Sequence, residues 1–247
     1  MESSFPWCTD FYVNQKLALK MDLPATREPV LELFDRIRRH SPALVRLKRS
    51  EEEVALESEE NGRSFQWVSM RQTSLRSGFV NPAEIGEAYR LHRFLLESAP
   101  YFLSISPLDI DHVDLVFGFD FEADGNRNSA VADALLAGSP LGDLLGVAGE
   151  EPIDVQPFIG FTLDENGDHA AFVEVRTHQR GAQDLHRNRE GRDPISLYLT
   201  IRRPGPVARI EDLAGVFGGL CGHAERIAEE RVIPHIVTPL RERLRSL

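Results

Sequence analysis

The sequence predicts an α+β protein. Its fold would be a two-layer sandwich, a mostly antiparallel sheet with helices on one face, made from a strand–helix–strands–helix unit used twice. Three observations predict it. Segments with period-2 apolar spacing alternate with segments of helical spacing along the whole chain. Leu17–Leu23 and Leu115–Phe121, 98 residues apart, share apolar residues at alternate positions and an Asp second from the end. Each then runs through a polar turn into a helical pattern. Finally, Glu-Asn-Gly recurs at 60–62 and 165–167, each time between apolar runs. Asn-Gly there predicts a type I′ hairpin tip, since that turn needs two residues at positive φ. Two anchors in the same order indicate an internal duplication. Its parts would be an arm (1–10), a first half (11–106) and a second half (107–247), forming one compact domain.

Whole-chain properties set limits. The 247 residues suit one large domain or two ordinary halves. An apolar content of 42% is enough for a real core. The net charge of −11 argues against nucleic acid and anionic membranes as partners. Cys8 and Cys221 have neither disulfide nor metal spacing. The first ten residues lack the pattern of a signal peptide, and no apolar run approaches a membrane span. A soluble protein of the reducing cytoplasm is expected.

Along the chain, Phe11–Leu23 reads as a strand ended by Pro24. Thr26 is placed to cap a helix with Pro29 in its first turn and Arg38, Arg39 and His40 in its last. Residues 43–48, 53–58 and 64–77 read as strands, the last broken near Thr73. A helix starts at Asn81-Pro82 and is expected to stop at Ser98-Ala99-Pro100, with 101–105 as an apolar connector. In the second half, strand 112–121 leads to helix 129–136 and a looser segment, 138–149. Ile153–Leu163 contains Pro157, which places it at a sheet edge or a bulge. Strands 171–177 and 195–203 follow, then a helix from Ile210 to Arg231 that Pro234 and Pro239 break or kink. This order of elements is similar to that of the TATA-binding-protein class of duplicated sheets and of helix-grip folds. The similarity is one of topology and implies no function.

No catalytic or cofactor motif stands out. His112, Asp114 and Asp120 fall on the polar side of one strand, and imidazole with carboxylates suits a divalent metal or acid–base work. They are the candidates for a metal-dependent or hydrolase-like enzyme; a solvated strand start is the plainer account. Asp120–Asn126 has a faint likeness to a calcium loop without its ligand spacing. Cys221 and His223 point apart on a helix, so Cys221 reads as core. The stretch 178–194 is long, polar and arginine-rich, and such loops are commonly functional or disordered.

The leading expectation is therefore a non-enzymatic binding or assembly protein without a cofactor. It would bind a protein partner, or itself, through the polar sheet face and the 178–194 loop. The contact residues are Arg176, Arg180, Arg187, Tyr198 and Arg202. A second expectation is a small or lipid-like ligand held between sheet and helices, against Phe117, Phe119, Phe121 and Phe161.

Overall fold

A computed structural model describes residues 7–24, 26–59, 63–145, 149–177 and 194–246. Arg180, Arg187, nearly all of the 178–194 loop and Asn61-Gly62 lie outside the described residues. The chain is α+β, with one nine-stranded antiparallel sheet in the order β2-β3-β4-β5-β1-β6-β9-β8-β7. The first five strands are Asp10–Leu19, Leu44–Arg49, Glu53–Ser58, Phe65–Arg71 and Ser74–Val80. The last four are Ile110–Phe121, Phe158–Thr162, Ala170–Arg176 and Ile195–Pro204.

The two central strands, β1 and β6, join the halves of the sequence. Their register runs from Asp10↔Asp120 to Leu17↔Val113 before a shift at Ala18/Leu19. Because side chains alternate across a strand, this pairing gives every row of the sheet a common face. On one face lie Phe11, Val13, Leu17, Leu115, Phe117, Phe119, Leu197, Leu199 and Ile201, all buried. Helices α2 (Ile85–Leu103) and α5 (Leu213–Ile227) pack on these central strands. Helix α1 (Arg27–His40) packs against α2, and α3 (Arg127–Leu135) against α6 (Thr238–Arg245). The short α4 spans Pro140–Asp143. Phe11 meets Phe117 and Phe119 at ring separations of 5.5 and 5.2 Å, so these aromatics fill core.

Several boundaries differ from the sequence reading. Helix α2 runs through Pro100 to Leu103 and ends on Ser104 at φ 54°. Pro100 removes a single backbone donor, and the buried face carrying Leu95, Leu96, Ala99 and Leu103 outweighs that loss. Pro234 likewise does not stop the C-terminal helix; residues 228–237 widen to a π-helical turn and α6 continues. Thr26 occupies the cap position of α1 without a side-chain bond, whereas Asn126 caps α3 by accepting from the Asn128 and Ser129 amides. That capping role, with Asp120 buried in β6, accounts for the calcium-like stretch. Asn166-Gly167 lies in the tip of the β7–β8 hairpin as expected, but only the glycine has positive φ (74°), so the turn is not type I′. The two-residue turn joins β4 to β5 at Gln72-Thr73 instead, since Arg71 pairs with Ser74. Pro157 precedes β7, which is an edge strand as its position suggested.

One polar chain crosses the covered face. Ser77 Oγ lies 3.1 Å from Gln15 and 2.8 Å from Nδ1 of the fully buried His92, and Nε2 of that ring reaches the Val13 carbonyl at 3.2 Å. The carbonyl can only accept, so Nε2 carries a proton. Burial holds its pKa down to about 3, against 6.5 for an exposed histidine. The unfolded chain thus binds a proton that the folded chain refuses between these values, and stability falls as pH drops through that window. Urea unfolding from pH 7 to pH 4 should show a steeper loss of midpoint in the wild type than in His92→Gln; parallel slopes would refute the assignment.

Candidate binding face

The other face of the sheet carries alternate residues of the same strands, and helix α1 reaches its lower end through Arg27, Val30 and Leu31. It forms two adjoining clefts. One, of about 370 Å³, is floored by Asn14, Trp67, Phe172, Tyr198 and Thr200. The other, of about 1230 Å³, opens toward the β2–β3 and β4–β5 turns. Lys16 and Arg76 border both.

Three glycines shape the floor. A Cβ on Gly118 would lie 2.1 Å from the Tyr12 ring, one on Gly78 2.4 Å from Trp67, and one on Gly160 2.9 Å from Phe172. Each glycine is the direct cross-strand neighbour of that aromatic residue. The rings therefore lie down over the backbone where no side chain props them up. The Tyr12 hydroxyl is held 3.3 Å from Asp120, which also accepts from Ser196 at 2.9 Å.

The polar groups are paired in a regular way. Arg202 donates both arms of its guanidinium to Asp114, at 2.7 and 2.8 Å. Burial alone would raise the Asp114 pKa, but hydrogen bonds from Arg202 and His112 outweigh it and hold the carboxyl below its usual range. Arg71 binds Glu53, Arg176 binds Glu174 through two bonds, and Lys48 binds Glu57. The Arg176 guanidinium also lies 5.2 Å from the centre of the Tyr198 ring, and that of Arg202 lies 5.5 Å from Phe172.

Of the residues singled out from sequence, Arg176, Tyr198 and Arg202 are brought together on this face. His112 and Asp114 are neighbours, with Nε2 to carboxylate at 3.4 Å. Asp120 is not near them. It sits six residues further along β6, roughly 20 Å away at about 3.3 Å per residue, and is fully buried in its own hydrogen bonds. The three cannot share one ion. Among the described residues no group of three His, Cys, Asp or Glu side chains is placed to hold a metal. Burial raises both cysteine pKa values to about 12, which keeps them as thiols.

Sequence reading missed Trp67, Phe172 and Arg76 as site residues. The signal that could have found the rings is a mid-strand glycine opposite an aromatic, but that needs the strand register first. No family model matches the sequence, and no curated protein is significantly similar to it.

Gly118→Ala should cost about 1–3 kcal/mol, because it overpacks against a ring that is buried and tied to Asp120. Gly160→Ala should cost less, since its neighbour Phe172 is only half-buried, beside the edge strand that carries Gly160. Urea denaturation of the two variants checks the order; equal losses would mean that the tied ring is not what sets the cost.

Proposed function

We propose that the protein is a non-enzymatic binding protein whose open sheet face receives a protein partner. The observation that supports this most directly is the floor of that face. Rings of Trp67 and Phe172 lie flat over glycines between fixed ion pairs, with the buried Tyr12 ring seated beside them in the same way. Flat aromatics beside ordered arginines are what protein interfaces are enriched in. Most of its charged groups are committed to one another as pairs and the described thiols are protonated, an arrangement suited to holding a surface more than to driving a reaction.

We also propose that the sheet arose by duplication of halves 11–106 and 107–247, as a two-layer sandwich. Strand order supports this, since β1-β5-β4-β3 on one side of the centre matches β6-β9-β8-β7 on the other. An axis perpendicular to the sheet keeps each residue on its face, which requires an even offset; the sequence offset of 98 satisfies that.

The cleft of about 370 Å³ favours a second reading, a small ligand on this same face, because it falls within the range of roughly 300–1,000 Å³ usual for ligand sites.

A photo-crosslinking amino acid at Thr200, on the face, and at Arg39, on helix α1, tests the main reading in cells. The Thr200 variant should give one discrete adduct, with a different protein or with a second copy of this chain, and the Arg39 variant should not. Replacing residues 179–193 by a short Gly/Ser link should abolish the adduct without shifting Tm, which would assign the loop to capture. Equal, diffuse labelling from both positions would sink the proposal.

A further inference from the structure

We infer that Lys16 and Arg76 form a subsite for a carboxylate, and that the group it takes is an Asp or Glu side chain of the protein partner; this rests on the face being the partner surface. The two residues are direct cross-strand neighbours on β1 and β5. Both are half-buried. The carboxylates nearest to them are already engaged. Asp114, next in the row at Lys16↔Asp114, is held by both arms of Arg202, and Glu53 is held by Arg71. Glu57 and Glu174 have Lys48 and Arg176.

Asp111 is held by His112, so among the described residues the face is neutralised largely pair by pair, with two adjacent cations left over in a chain whose net charge is −11. Burial disfavours their charged forms most, and repulsion adds to it, from Arg76 on Lys16 and from Arg71 on Arg76, so both pKa values are lowered.

Two further groups point to something missing. Arg76 Nε and Ser69 Oγ are buried donors with no hydrogen-bond partner, and Ser69 and Arg76 are direct neighbours in register. Buried donors of this kind are normally satisfied, and leaving them open is costly. A carboxylate reaching the floor would accept from Arg76 and Lys16, with the Ser69 hydroxyl one strand further along the same row. The Trp67 ring, one row away on the strand of Ser69, offers a flat apolar seat to the residue beside the acid.

The test uses the full chain and two peptides, acetylated and amidated Gly-Phe-Glu-Phe-Gly and its counterpart with Gln in place of Glu. Nitrogen-15 NMR follows the Arg76 Nε–H signal. In the wild type the Glu peptide should move that signal and bind roughly tenfold or more tightly than the Gln peptide, the factor for a charge-assisted hydrogen bond. The preference should disappear in Lys16→Met. Loss of a cation without a carboxylate partner should leave the fold intact, and Tm verifies it. Arg76→Met, followed through Trp67 fluorescence, is the second variant and should lose the preference too. Equal binding of both peptides would overturn the inference. So would a response to inorganic phosphate with none to the Glu peptide, which would make the pair a phosphoryl site. If the Thr200 adduct persists while the peptides bind equally, the subsite fails and the face reading stands.

Discussion

The pairing of β1 with β6 is the constraint on which the rest of the structure depends. It ties residues about one hundred positions apart and fixes which side chains of nine strands share a face. A slip of one residue would carry Phe117 and Phe119 into the open cleft and Asp114 and Asp120 into the core. Burial of the Phe11, Phe117 and Phe119 cluster resists that slip from one side. From the other, Asp120 is locked to Tyr12 and Ser196, and Asp114 to Arg202, across three neighbouring strands. Register is therefore specified twice, by apolar packing and by polar pairing.

Much of the sheet was legible in the sequence because period-2 spacing reports burial on one side only. Leu115, Phe117, Phe119 and Leu197, Leu199, Ile201 alternate with polar residues, and they form the covered face. What spacing cannot report is the depth of the polar side. Asp114, Asp120 and Ser196 look solvated in sequence yet are buried, since wide neighbours such as Tyr12 lie over them. The helix ends were misread for a related reason. Pro100 and Pro234 disfavour a helix locally, but buried Leu96 and Leu103 hold the helix on either side of the first, and Val232 and Val237 on either side of the second.

The candidate site was partly legible. Tyr198 and Arg202 sit on the cleanest alternating strand, so their face could be assigned, and Arg176 follows from its own strand. Arg76 could not be recognised as special, because its significance lies in what Asp114 and Glu53 do with other arginines. An unneutralised cation is a property of a network and has no mark in the local sequence. The grouping of His112 with Asp120 failed by simple distance along a strand.

The two ends of the sheet differ in kind. Edge strand β2 shows solvent Arg46, Lys48 and Arg49 interleaved with Val45 and Leu47, whereas edge strand β7 shows Phe158 and Ile159 with no charge. Positive charge along an edge repels another strand, and an apolar edge invites one. Edge growth is thus opposed more strongly at β2 than at β7. Two chains meeting at β7 would pair like with like about a twofold axis, and both remaining edges would then be the basic kind. Such a pairing leaves the charged β2 edges outermost, which disfavours growth into a fibre by that route.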